Sequence, residues 1–145
     1  MLSTLPGCIR EGRLLFVMND LASKKCVPCE GNVPPLTPKA AQAMMQHLND
    51  WSLIDDAHLL AKHFAFKDFV DTMQFVNEVA HVAEEEGHHP DLTVSYGSVT
   101  VELMTHAIGG LSENDFILAA KIDEVEKHIA KTLLQNAIAH PDKSV

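Results

Sequence analysis

Basic residues are scarce in this chain. Eleven Lys and Arg stand against twenty Asp and Glu, so the formal charge is −9 with histidine neutral. Nucleic acid is held by clustered Lys and Arg that neutralise phosphates. No such cluster occurs, and the longest run of one sign is the acidic Glu84-Glu85-Glu86. The same deficit argues against attraction to an anionic membrane surface. Long apolar runs are also missing; none approaches the roughly 20 residues that span a bilayer. The apolar patch Leu14 to Met18 is too short for a secretory signal, and charges precede it. Cysteine is sparse and odd in number (Cys8, Cys26, Cys29), which fits a reducing compartment better than a disulfide framework. These absences predict a cytoplasmic protein with no nucleic-acid or membrane partner.

What is present is an ordinary globular composition, 46% hydrophobic and 21% charged over 145 residues. That length suits one domain, and a domain of this size buries about 70% of its unfolded surface. Residues 1–36 lack sustained periodicity and hold Pro6, Pro28, Pro34 and Pro35, so they read as an irregular N-terminal arm. Residues 37–140 read as the folded domain. Thr37-Pro38 opens a helix, with Thr as N-cap and Pro at the first helical position. Trp51 to Asp55 and His58 to Phe66 read as two strands. From Lys67 the period changes: Phe69, Met73, Val76, Ala80 and Ala83 predict the apolar face of a helix over 68–86, stopped by Gly87.

A hairpin follows. Leu92, Val94 and Tyr96 alternate with Thr93 and Ser95, and Val99, Val101 and Leu103 alternate with Thr100, Glu102 and Met104. Gly97-Ser98 between them predicts a two-residue type II′ turn. Ser112 and Asp115 approximate a capping box for the last helix. Its buried stripe is Leu118, Ile122, Val125, Ile129 and Leu133. The order α-β-β-α-β-β-α predicts an α+β fold, with helices covering one face of an antiparallel sheet.

The segment Glu84-Glu85-Glu86-Gly87-His88-His89-Pro90 carries the chemistry. It sets two histidines at a helix end, and His106 returns at the end of the hairpin. With a turn at 97–98, His89 would lie opposite His106, with Cβ atoms ~5 Å apart. The helix C-terminus, with Glu84 and Glu85 one turn earlier, favours protonated imidazole. Histidine gives and takes protons near neutral pH, so the trio points to acid–base catalysis on a small molecule. A lone histidine, such as His47, His128 or His140, is more often a cap or a solvated residue. Three histidines also suit zinc or iron, but HExxH spacing and a companion carboxylate are missing. Cys26-Val27-Pro28-Cys29 is a CxxC without a second pair, or the flanking strand and helix of a redox site, and reads as part of an incidental or weakly metal-binding arm.

The spaced set Glu84, His88-His89-Pro90, Tyr96, His106 and Asp115 resembles the signature of the pterin-4a-carbinolamine dehydratases. Trp51, fifteen residues before Phe66-Lys67-Asp68-Phe69, and Gly110-Leu111-Ser112-Glu113-Asn114-Asp115 extend the similarity over about residues 36–135. The resemblance implies a four-stranded antiparallel sheet covered on one face by three helices. It also implies a lyase that removes water from 4a-hydroxytetrahydrobiopterin, recycling the cofactor of aromatic amino-acid hydroxylases, with no cofactor and no metal. His88, His89 and His106 carry over as the catalytic histidines. His88 and His106 are the expected acid and base, and His89 holds the pterin. Glu84, Pro90 and Thr105 join them in binding substrate. Gly87 stands where many relatives carry an acidic residue, and Leu92 where an aromatic is frequent. A homodimer or homotetramer is expected, since a free strand edge invites pairing. Animal members also partner a homeodomain transcription factor. The alternatives are therefore a dimerisation or binding module, or a dehydratase-like protein acting on a molybdenum-cofactor pathway pterin.

Overall fold

The computed structural model describes residues 20–28 and 31–139. Cys8 and Cys29 lie outside them, so of the two CxxC cysteines only Cys26 is described. A short helix, α1 (Asp20–Ser23), precedes α2 (Pro38–Met44), which runs into a 3₁₀ turn at Met45–His47. Strands β1 (Ser52–Ile54) and β2 (Leu59–Ala65) follow, then α3 (Phe69–Glu86). The second half holds β3 (Asp91–Ser95), β4 (Ser98–Leu103), a 3₁₀ turn at His106–Ile108, and α4 (Glu113–Ala139). The four strands form one antiparallel sheet in the order β1-β2-β4-β3.

Strand alternation sorts the sheet into two faces. Leu60, Lys62 and Phe64 of β2 and Val99, Val101 and Leu103 of β4 are buried, while His63, Ala65 and Glu102 are exposed. The helices cover the first face. Phe75 of α3 packs its ring against Phe64 and Phe66, with centroids 4.6 and 5.1 Å apart. Burying a side chain of this size stabilises the fold by about 1.5–3 kcal/mol. Lys62 points inward but is paired. Its ammonium donates to Asp123 at 2.7 Å and to Glu126 at 2.9 Å, and Asp123 also accepts from the Trp51 indole at 2.9 Å. Burial alone would lower the Lys62 pKa, but these two carboxylates outweigh it and hold it above the ordinary value.

Caps follow the sequence closely. Thr37 accepts from the Ala40 N–H at 3.2 Å, with Pro38 at the first helical position. Asp68 caps α3 through the Asp71 N–H at 2.9 Å, and Gly87 ends it in the left-handed region at φ 63°. In α4, Leu118, Ile122 and Ile129 are buried and Val125 and Leu133 half-buried, as the stripe predicts.

Two expectations are corrected. The buried face of α3 is Asp71, Thr72, Phe75, Val79 and Ala83; of the predicted stripe Ala83 is buried and Met73 and Val76 are half-buried, whereas Phe69 and Ala80 are exposed. The face includes Thr72, whose hydroxyl serves the backbone, donating to the Asp68 and Tyr96 carbonyls at 2.7 and 2.9 Å. The hairpin turn is Tyr96-Gly97, not Gly97-Ser98, since Ser95 pairs with Ser98 and Asp91 with Glu102. It is not type II′ either, because neither turn residue has positive φ. Gly97 is needed for a close approach. The Phe66 N–H donates to the Gly97 carbonyl at 2.7 Å, and a Cβ at 97 would lie 2.9 Å from the Phe66 oxygen.

Candidate active site

The site begins where α3 stops. Gly87 in the left-handed conformation closes the helix, and the His88 N–H returns to the Ala83 carbonyl at 3.2 Å. This turn sends the two histidines different ways. The His88 side chain is only 12% exposed, whereas His89 is 60% exposed and pairs with Glu84 at 2.7 Å.

His88 Nε2 lies 2.6 Å from Asp115 Oδ1. A carboxylate only accepts, so Nε2 carries the donated proton. Asp115 is fully buried in the first turn of α4. Its other oxygen accepts from the Thr105 hydroxyl at 2.7 Å and from the Ser112 N–H at 2.9 Å. The second of these is the reach-back of the expected capping box. Thr105 is fixed in turn by backbone pairing with Gly110, its N–H donating to the Gly110 carbonyl at 2.9 Å. Two hydrogen bonds therefore hold the carboxylate that orients His88 through a third.

His106 opens the 3₁₀ turn after β4. It is 65% exposed, and its Nε2 sits 3.7 Å from Asp91, at the start of β3. The predicted pairing of His89 with His106 does not occur. With the turn moved back to Tyr96-Gly97, paired positions shift by two, and the regular ladder ends at Asp91 and Glu102. The histidines meet instead through a shared cavity of about 430 Å³, lined by His88, His89, Thr105 and His106 together with Cys26 and Val27. That volume lies within the range of small-molecule pockets. Among the described residues, no three His, Cys, Asp or Glu side chains are arranged to hold a metal ion.

The remaining residues singled out in the sequence, Glu84, Pro90 and Tyr96, do not line the cavity. Glu84 touches His89 from the exposed side, and Pro90 is not among the lining residues. Tyr96 is at the hairpin turn, the other end of β3, with its ring stacked on Phe69 at 6.5 Å. Several contributors are not among the expected site residues, Asp115, Cys26 and Asn114 foremost. Asp115 was read only as part of a signature and a helix cap. Cys26 and Asn114 lie on the cavity wall. The Cys26 pKa is pushed up to about 12 by burial and by the neighbouring Glu86 carboxylate. The thiol is thus protonated at neutral pH and a poor nucleophile.

A family model described as pterin 4 alpha carbinolamine dehydratase matches residues 34–125. A Nitrosospira multiformis protein named "Putative pterin-4-alpha-carbinolamine dehydratase" is 51% identical over 106 residues, which is 73% of this chain and 92% of that protein. A Nitrosomonas eutropha protein of the same name is 52% identical over 105 residues, 72% of this chain and 91% of its own length. The crystal structure of a "transcriptional coactivator/pterin dehydratase" from Brucella melitensis superimposes with a TM-score of 0.60. It is 31% identical, and the match covers 63% of this chain and 97% of that one.

Proposed function

Because this chain belongs to the pterin 4 alpha carbinolamine dehydratase family, we propose that it is an active dehydratase whose substrate is 4a-hydroxytetrahydrobiopterin or a close 4a-hydroxytetrahydropterin. The observation that carries this reading is one cavity walled by His88, His89 and His106, with His88 oriented by a buried carboxylate. The reaction needs one proton delivered and one removed. As the C4a–O bond breaks, an imidazolium protonates the departing hydroxyl and water leaves. A second imidazole takes the N5 proton, and the N5–H electron pair becomes the C4a=N5 bond of the quinonoid dihydropterin. Oxidation state is unchanged and no co-reactant enters.

His88 suits the base role. Asp115 holds Nε2–H, so Nδ1 is the nitrogen left for substrate, and the carboxylate stabilises the imidazolium that forms. His106, open to solvent, suits the acid role because it can recover its proton from water. His89, paired with Glu84, is assigned to holding the pterin.

The test is the ultraviolet absorbance of a 4a-hydroxytetrahydropterin solution with and without the full chain. The expected outcome is faster dehydration that survives treatment of the protein with a chelator. A rate equal to the uncatalysed one overturns the reading. That result would favour a binding or dimerisation module, in line with the coactivator half of the Brucella protein's name.

A further inference from the structure

Residues 20–28 precede the stretch matched by the family model, which begins at residue 34, yet they are fastened to the site. Leu21 is buried in the core. The Lys121 ammonium donates to the Ala22 carbonyl at 2.9 Å, and Lys24 pairs with Glu113 at 2.7 Å. The Cys26 N–H donates at 2.8 Å to Glu86, the last residue of α3. The Glu86 side chain is only 3% exposed and also meets Lys121 at 3.2 Å.

The next residue is gripped from two sides. The Val27 N–H donates to Asn114 Oδ1 at 3.0 Å, and Asn114 Nδ2 donates to the Val27 carbonyl at 2.6 Å. A primary amide supplies this donor–acceptor pair; a carboxylate or a hydrocarbon cannot. Asn114 is adjacent to Asp115, so a single turn of α4 secures both the strap and His88. Beyond the clamp, Cys26, Val27 and Pro28 line the same cavity as the three histidines. Val27 and Pro28, with Met104 and Ala107, add apolar surface to a pocket whose other margin is imidazole.

We propose that the strap 24–28, locked by Asn114, is the specificity wall of this pocket and selects the 6-substituent of the pterin. The inference rests on the dehydratase reading above. In a 4a-hydroxytetrahydropterin, C6 is bonded to N5, the atom whose proton must leave. A substrate that presents N5 to the histidines therefore carries its 6-substituent to the walls beside them. The histidines do the proton chemistry at C4a and N5, and the strap meets what projects from C6. Asn114 is a positioning residue and not a catalytic one, since it acts through Val27.

The test uses full-length chain and two 4a-hydroxytetrahydropterins, one with a 6-methyl and one with a 6-dihydroxypropyl group. Asn114→Ala is expected to raise KM about tenfold, the effect of losing a part-buried two-point clamp, with kcat within about twofold of wild type. It should also speed amide exchange at Val27, and Asn114→Gln should restore part of the KM loss. Val27 is 65% exposed, so Val27→Gly leaves the core intact. It should change the ratio of kcat/KM between the two substrates by about threefold or more, and it decides the matter if Asn114→Ala fails to fold. A ratio unchanged in Val27→Gly, or an unchanged KM in an Asn114→Ala protein whose Val27 amide exchanges faster, overturns the strap proposal alone. Wild-type protein inactive on both substrates overturns the dehydratase reading itself.

Discussion

At the scale of single residues, the site turns on Asp115. It reaches His88 across 27 positions of sequence and accepts three hydrogen bonds, so both the position and the protonated nitrogen of the imidazole are set before substrate arrives. Asp115→Asn preserves the shape but can present an N–H to Nε2 and reverse the tautomer. The expected result is a fall in kcat of about 10²–10⁴-fold, read by steady-state kinetics, with a far-ultraviolet circular dichroism spectrum like that of wild type. The histidines themselves were legible, because three imidazoles at that spacing are hard to explain as packing. Asp115 was only half legible. Its distance from Ser112 announces a helix cap, and it does cap, but one carboxylate has two oxygens and the second job is visible only in three dimensions. The Val27–Asn114 clamp left no trace in sequence, since backbone groups carry no residue signature.

At the scale of elements, most of the order was readable from period and punctuation. The 3.6-residue recurrence found α3 and α4, strict alternation found β3 and β4, and Gly87 ended α3 where a left-handed residue is required. What failed was phase. The α3 stripe is out by one position over most of its length because Phe75-Val76 and Val79-Ala80 are adjacent apolar pairs that fit either phase, and Thr72 is buried as a hydrogen-bonding residue, a role hydropathy does not show. The hairpin register was misplaced because Gly97 was read as a turn former, when its lack of Cβ serves the contact with Phe66. Gly97→Ala should cost about 1–3 kcal/mol, the usual range for overpacking. Urea unfolding measures that loss, and a cost near zero would mean that the backbone at Phe66 yields freely.

The strap has its own pH signature. Burial alone would raise the Glu86 pKa, but the Cys26 N–H, Lys121 and Lys25 outweigh it and leave it below the ordinary 4.5. A depressed carboxylate stabilises the fold fully above its unfolded pKa, and that contribution is lost as pH falls through the folded value. Wild type should therefore be more stable than Glu86→Gln at neutral pH, and the gap between their urea midpoints should shrink at about pH 4 and below. A gap independent of pH would contradict the ion-paired description of Glu86.

At the scale of the whole molecule, a net charge of −9 and a scarcity of basic residues set the broad class, and the sheet supplies the frame. No helix among the described residues is long and apolar enough to cross a membrane. Strands β1 and β3 form the outer edges of the sheet. An open edge offers N–H and C=O groups to another chain, and self-association remains the proposal for quaternary structure. The frame matters because it gathers a helix end, the open end of a hairpin and the first turn of another helix around one cavity of about 430 Å³. The measurement that bears most directly on this account is the dehydration rate of a 4a-hydroxytetrahydropterin with His88→Ala and His106→Ala proteins beside wild type. The account predicts that each replacement removes about 10²–10⁴ of the acceleration while the protein stays folded; a His88→Ala rate equal to that of wild type would contradict it.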